Sequence, residues 1–162
     1  MDVKRTVVFG GTFDPFTLGH LRIVEQALSF ADEVVVAVCE NSQKRPTLSA
    51  DVRVELITRV VAPLPFVRVE ECVGLLTAFC KAESIRVAVR GIRSAAHFEE
   101  EQVMAEINRR LYPELVTVMI PTAPELAHIS SSAVREIARH GGDLRGWVPD
   151  VILEDIARAY RA

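Results

Sequence analysis

The chain of 162 residues has little cysteine, few aromatics and no surplus of positive charge, and each shortage removes a class of function. Cys39, Cys72 and Cys80 are its only thiols. None forms a C-x-x-C pair, and an odd number without metal spacing fits neither a disulfide framework nor a zinc site. They read as buried or free thiols in a reducing compartment. The histidines, His20, His97, His128 and His140, are equally dispersed, so no metal-ligand cluster is visible. A net charge of −3 argues against general binding to nucleic acid or to anionic membranes. No apolar run approaches the length of a membrane span, and Met1-Asp2-Val3-Lys4-Arg5 leads straight into a strand pattern without a signal-peptide core. The expectation is a cytoplasmic protein with neither nucleic acid nor membrane as partner. Also missing are G-x-x-x-x-G-K-[ST], G-x-G-x-x-G and a serine–histidine–acid set. Phosphate chemistry in such a chain relies on positioning and charge stabilisation, and direct in-line attack of one bound phosphate on another suits it.

What the chain does have is apolar bulk: 49% hydrophobic against 25% charged residues, the balance of a globular domain with a real core. No repeat, low-complexity tract or long linker interrupts it, so residues 1–162 read as a single domain. Strands are predicted over 6–9, Glu33–Cys39, 66–69, 86–89 and 116–120. The second, E-V-V-V-A-V-C, is an unbroken apolar run, as in a strand covered on both faces of a parallel sheet. Helices are predicted over 18–31, with Leu21, Val24, Ala27 and Leu28 on one stripe, and from a Ser49 cap to residue 60, with Val52, Leu56, Ile57 and Val60 inward. Further helices cover 75–82, 98–111, 131–140 and 151–160, and in the longest of these Val103, Ile107 and Leu111 form the core stripe. This alternation implies an α/β fold, a Rossmann-like doubly wound parallel sheet that binds ligands beyond the carboxyl ends of its strands.

Four polar segments follow strands and should therefore share one edge. The most specific is Gly10-Gly11-Thr12-Phe13-Asp14-Pro15-Phe16-Thr17-Leu18-Gly19-His20. Its glycines allow close backbone approach to an anion, the helix N-terminus offers free N–H groups, and His20 can hydrogen-bond a phosphoryl oxygen. Ile129-Ser130-Ser131-Ser132 opens another helix, with more hydroxyls than a simple cap needs. Arg90 and Arg93 flank Gly91 and can serve different anions, whereas Lys44, in a loop before Pro46, means little by itself. Glu101, Met104 and Asn108 share one face of the long helix, a mixed stripe suited to a ligand wall, a subunit contact or a half-exposed edge.

These motifs resemble those of the bacterial phosphopantetheine adenylyltransferases, within the nucleotidyltransferase superfamily that carries a T/H-x-G-H motif. The resemblance runs through G-T-F-D-P-x-T-x-G-H at 11–20, K-x-P at 44–46, R-G-x-R at 90–93, F-E-x-E ending at Glu101, M-x-x-x-N at 104–108, I-S-S-S at 129–132 and the Gly141-Gly142-Asp143 turn. It implies transfer of the adenylyl group of ATP to 4′-phosphopantetheine, giving dephospho-coenzyme A and pyrophosphate. By position, it implies that His20 stabilises charge at the α-phosphate and that Thr12 orients the attacking phosphate and touches ATP. Lys44 and Arg90 would hold that phosphate, and Leu76, Met104 and Asn108 would flank the pantetheine arm. Phe13, Gly91, Ile92, Arg93 and Glu101 would line the nucleotide, with Arg93 on its phosphates. Leu126, Ala127, His128, Ile129, Ser130, Ser131 and Ser132 would close over adenosine and the outer phosphates. The resemblance also implies Mg2+ travelling with ATP, a homo-hexamer, and coenzyme A as a feedback inhibitor.

Some positions depart from the pattern. His97 stands where aspartate is common, Glu100 where an aromatic is common, and Leu126-Ala127-His128 lacks the usual aromatics. Two other readings stand beside this one. A nicotinate or nicotinamide mononucleotide adenylyltransferase would share the first glycine motif, but Thr17 occupies the position of a histidine typical of that group. A non-catalytic nucleotide-binding module would be expected to have lost His20, Lys44 or Arg93, and the chain keeps all of them.

Overall fold

The structure, a computed structural model, describes residues 4–40 and 42–161. Five parallel strands, β1 (Thr6–Gly11), β2 (Glu33–Cys39), β3 (Val67–Cys72), β4 (Val87–Ile92) and β5 (Val116–Pro121), form one sheet in the order β3-β2-β1-β4-β5. Between and after them run α1 (Leu18–Ala27), α2 (Ala50–Val61), α3 (Leu76–Ala82), α4 (Ala95–Leu111), α5 (Ser131–Arg139) and α6 (Leu153–Tyr160). The chain order reverses between β1 and β4, which makes that pair the switch point of the sheet.

Alternation within each strand divides the core in two. Val7, Phe9, Val34, Val36 and Val38 point to one face, where Ile23 and Val24 of α1, Leu56 and Ile57 of α2, Val134 of α5 and Ile156 of α6 cover them. Val8, Val35 and Ala37 point to the other, against Cys72, Cys80, Ile85 and Leu115. The cysteines, distant in sequence, gather there: Cys39 and Cys72 are register partners on β2 and β3, and all are free thiols. Burial raises the Cys80 thiol to about 11, so it stays protonated at neutral pH.

Several boundaries differ from the sequence expectation. After Ala27 the chain winds in tight turns, with Ser29 N–H on the Gln26 carbonyl and Phe30 N–H on that of Ala27, so α1 stops four residues early (27 against 31). The 66–69 strand shifts to Val67–Cys72, because Phe66, whose carbonyl still accepts the Val34 N–H at 3.0 Å, turns into the strand with a positive φ of 61°. β4 runs on through Arg90, Gly91 and Ile92, which pair with Met119, Ile120 and Pro121. α4 begins at Ala95, capped by Ser94, whose hydroxyl accepts the His97 N–H. A 3-10 turn at Asp150–Ile152 precedes the last helix.

Two packing assignments are corrected. In α2 the inward stripe passes through Arg53 (2% exposed), Leu56, Ile57 and Val60, while Val52 is 38% exposed. Residues 53, 56, 57 and 60 follow helical spacing, so the period was right and the polarity misled. In α4 the supposed core stripe is on the surface: Val103 is 61% exposed, and Ile107 and Leu111 are also exposed. Glu101 is the only buried residue of that helix.

Candidate active site

β1 pairs with β2 along its whole length, from Thr6↔Glu33 to Gly11↔Val38. With β4 it pairs only through Val7↔Val87 and Val8↔Ala88. Beyond those residues the strands part at their carboxyl ends, where a cavity of about 600 Å³ opens. All four polar segments reach it: Gly10–Asp14, Thr17 and His20 at the end of β1 and beyond, Lys44-Arg45-Pro46 after β2, Arg90, Gly91 and Arg93 of β4 and beyond, and Ile129 to Ser132 after β5. Gly11 and Gly91 also serve packing: a Cβ would lie 2.9 Å from the Phe13 ring at the first and 2.9 Å from Ile23 at the second.

Thr17 caps α1 and fixes His20. Its side-chain oxygen accepts the His20 backbone N–H at 3.3 Å, while its own backbone N–H donates to His20 Nδ1 at 3.0 Å. An Nδ1 that accepts leaves the proton of the neutral ring on Nε2. Phe9, Phe13 and Phe16 surround the imidazole, with ring centroids 6.0, 5.0 and 5.3 Å away. Burial first, then the Arg90 and Arg93 charges, lower its pKa to about 3. His20 is therefore a neutral hydrogen-bond donor at neutral pH.

Arg90 bridges the opening. It donates Nε and Nη2 to Glu101 Oε2 and Oε1, each at 2.7 Å, and Nη1 to the Gly10 carbonyl of β1. These bonds hold the guanidinium plane rigid and leave part of its donor fork for an anion. Burial alone would raise the Glu101 carboxyl, but Arg90 more than offsets this and holds it below the ordinary carboxylate value. His97 joins the same cluster, with Nε2 3.4 Å from Glu101 Oε1 and Nδ1 accepting the Arg93 N–H at 3.3 Å. Arg93 in turn donates Nη1 to the Ile129 carbonyl at 3.2 Å.

The serine run has a specific use for each hydroxyl. Ser130 caps α5 by accepting the Ala133 N–H, Ser131 donates to the Pro15 carbonyl at 2.8 Å, and Ser132 accepts from Arg135. In the first turn of α5 the N–H groups of Ser131 and Ser132 remain to face an anion. Other expected residues lie outside the cavity wall. Leu76 packs its methyls over Gly10, Met104 is exposed on α4 beside the half-buried Asn108, and Ile92 is at the end of β4. Leu126 sits in a 3-10 turn, followed by Ala127, and the exposed His128 lies edge-on to Trp147 at 5.1 Å.

Three contributors were missed by the sequence reading. The buried Asp14 carboxylate accepts the Thr47 N–H at 2.9 Å, the Leu48 N–H at 3.1 Å and the Tyr160 hydroxyl. Arg135 donates to the Asp14 carbonyl at 2.6 Å. Arg53, buried beneath the loop, bonds to main-chain carbonyls. The signals were there: an acid within the glycine motif, and arginines at helical spacing on apolar stripes.

Among the described residues no helix is long and apolar enough to cross a membrane, and no group of His, Cys, Asp and Glu is arranged to hold a metal. Residues 8–137 match the family profile described as cytidylyltransferase-like. A protein of Rubrobacter xylanophilus is 51% identical over 150 residues, covering 93% of this chain and 92% of its own. One of Heliobacterium modesticaldum is 44% identical, covering 94% and 91%. One of Bdellovibrio bacteriovorus is 38% identical, covering 98% and 99%. Each is named phosphopantetheine adenylyltransferase.

Proposed function

The chain belongs to the phosphopantetheine adenylyltransferase family, and from that premise we propose that the cavity between β1 and β4 carries its chemistry. The enzyme is a nucleotidyltransferase of coenzyme A biosynthesis. It transfers the adenylyl group of ATP to 4′-phosphopantetheine, forming dephospho-coenzyme A and pyrophosphate. A phosphate oxygen of phosphopantetheine attacks the α-phosphorus of ATP, a P–O bond forms, and the bond to pyrophosphate breaks on the opposite side. No protein nucleophile intervenes, so the site works by holding both phosphates in line and by stabilising the charge that develops.

The observation that carries this reading is His20: a neutral imidazole with Nε2–H as its free donor, close enough to Arg90 and Arg93 for both to depress its pKa. It donates to an α-phosphate oxygen without adding or removing a proton. Thr12, Lys44 and the free part of the Arg90 fork hold the attacking phosphate, and Lys44 reaches towards the α-phosphate as the bond forms. Arg93 and the first-turn N–H groups of α5, at Ser131 and Ser132, receive the outer phosphates. Phe13, Gly91, Ile92 and Glu101 support the nucleotide side, and Leu126, Ala127, His128, Ile129 and Ser130 close over adenosine. Leu76, Met104 and Asn108 flank the pantetheine arm.

The buried cavity carboxylates are already engaged, Asp14 by Thr47, Leu48 and Tyr160 and Glu101 by Arg90. That donor set suits Mg2+ held by the phosphates of ATP and by water, where it neutralises phosphate charge. The exposed apolar face of α4, with Val103, Met104, Ile107 and Leu111, supports assembly of the chain into a homo-hexamer. Coenzyme A, which contains both halves of the product, acts as a feedback inhibitor, and the enzyme is cytoplasmic.

The decisive experiment is pyrophosphate release from Mg·ATP with 4′-phosphopantetheine, nicotinate mononucleotide or nicotinamide mononucleotide as acceptor, with identification of the nucleotide product. Release with 4′-phosphopantetheine alone, and formation of dephospho-coenzyme A, is the expected result. Release with either mononucleotide would favour the rival transferase, and no release with any acceptor would favour a nucleotide-binding module.

A further inference from the structure

Arg53 is a buried charge with no charged partner. Its residue is 2% exposed, and among the described residues it forms no ion pair. Its guanidinium instead donates to main-chain carbonyls from three segments. Nε bonds to Leu48 at 3.0 Å, and Nη1 to Thr12 at 2.6 Å and, at the outer limit, to Cys39 at 3.5 Å. Thr12 follows β1, Cys39 ends β2, and Leu48 lies between the Lys44 loop and α2. One planar group therefore joins the two strand ends that deliver Thr12 and Lys44 to the cavity.

Packing alone does not require a guanidinium at this position. The stripe 53–56–57–60 is otherwise Leu, Ile and Val, and an apolar side chain would avoid burying a charge. Removing the donor fork, however, would leave the Thr12 and Leu48 carbonyls without these bonds. Asp14 grips the opposite end of the same residue, since its Oδ1 accepts the Leu48 N–H at 3.1 Å. Leu48 is thus held through both its N–H and its carbonyl, by an acid from the first loop and a base from α2. Leu48, at the downstream end of the Lys44 segment, cannot shift relative to Thr12 without breaking one of these bonds.

We propose that Arg53 is a positioning residue for adenylyl transfer, registering Thr12 against the Lys44 loop so that the attacking phosphate is presented in line. This rests on the functional reading above. Misplacing a reacting group by about 1 Å costs roughly 100-fold in rate, which sets the scale of the effect.

The test uses the full chain as wild type, Arg53→Ala and Arg53→Lys, with melting temperature, kcat and KM for each substrate measured in the dephospho-coenzyme A assay. Wild type must first form dephospho-coenzyme A; if it does not, the functional reading fails irrespective of Arg53. With an active wild type, both folded variants should lose roughly 100-fold in kcat while KM for Mg·ATP changes by less than about threefold. Methylguanidinium should restore Arg53→Ala activity saturably, by about tenfold or more, whereas ethylammonium, which lacks the planar fork, should not. Arg53→Lys keeps charge and stem, so it carries the test if Arg53→Ala does not fold. Folded variants with kcat near wild type, or a kcat loss that follows only the fraction unfolded, would overturn the proposal.

Discussion

The backbone N–H of Thr17 donates to Nδ1 of His20 at 3.0 Å, so the capping box of α1 also selects the tautomer of the ring that faces the cavity. The imidazole can accept this bond only while Nδ1 is unprotonated. With its pKa lowered to about 3, His20 should not titrate between pH 5 and pH 8 in the ligand-free protein, which imidazole 15N chemical shifts can establish. Because the unfolded ring has a pKa near 6.5, the folded state binds fewer protons between that value and 3. This contribution to stability is therefore present above pH 6.5 and declines as pH falls through the window. His20→Ala should abolish turnover and largely spare ATP binding by calorimetry; a fully active variant would remove His20 from the mechanism.

Lys44 has a different task and should fail differently. It lies exposed on the cavity rim, in the loop that Asp14 and Arg53 hold at Thr47 and Leu48. Lys44→Ala should raise KM for phosphopantetheine by about tenfold or more, the worth of one charge-assisted phosphate contact, and affect ATP binding less. Steady-state kinetics with each substrate varied in turn separate the two. An unchanged dependence on phosphopantetheine would contradict the assignment.

Glu101→Gln probes the grip on Arg90. The bidentate pair, at 2.7 Å for each bond, loses its negative charge, and one acceptor becomes a donor facing a guanidinium. Since the Arg90 side chain is 32% exposed, water offsets part of the loss, and about 1–2 kcal/mol of stability is expected to go. In wild type the Glu101 carboxyl lies below its ordinary value, so the pair's contribution is complete above the unfolded carboxyl pKa of 4.5 and lost as pH falls further. Urea titrations at pH 7 and pH 3 should show a gap between wild type and variant that narrows in acid. A constant gap would mean that the charge on Glu101 is irrelevant to folding.

The exposed stripe of α4 makes a prediction about assembly rather than folding. Ile107 is 44% exposed, so Ile107→Glu should cost the protomer less than about 0.5 kcal/mol. Placed in an apolar contact between copies, the same carboxylate would be desolvated without a partner. Sedimentation equilibrium should then show a smaller assembly than wild type. Equal mass for the two proteins would exclude this face from the interface.

Much of this architecture was readable in the sequence because it depends on local pattern. The apolar run Glu33–Cys39 marked a fully covered strand, and four post-strand motifs converged on one cavity because parallel strands deliver their carboxyl ends to one edge. The failures came where a side chain's partner lies far along the chain. Val103, Ile107 and Leu111 have core identity, but periodicity does not reveal whether a helix face meets its own sheet or something else. Arg53 falls on an inward stripe yet reads as polar, since its carbonyl partners include Thr12, 41 residues away. The family resemblance put Glu101 on the nucleotide side; what the sequence did not reveal is its bond to Arg90, which depends on how α4 crosses β4.

The most distant of these partnerships joins Tyr160 of α6 to Asp14, 146 residues earlier. Its hydroxyl donates to a buried carboxylate that also orders Thr47 and Leu48, so the C-terminal helix supports the cavity loops without lining them. Tyr160→Phe keeps the ring in the core and deletes one hydrogen bond to a charged acceptor, a loss of about 1.5–3 kcal/mol. Burial, then the hydrogen bond to Asp14 and that carboxylate's charge, raise the phenol pKa above its ordinary 10, so the folded state keeps its proton where the unfolded chain begins to lose it. The stabilisation is therefore complete below pH 10 and declines at higher pH. Urea unfolding should give a steady difference between wild type and variant from pH 7 to pH 9, and a narrower one above pH 10. Because Asp14 retains its bonds to Thr47 and Leu48, kcat should stay within about threefold of wild type at temperatures where both are folded. A large kcat loss in folded Tyr160→Phe would show instead that α6 holds the loop in its working geometry, and no stability difference would show that the hydroxyl contributes nothing net to the fold.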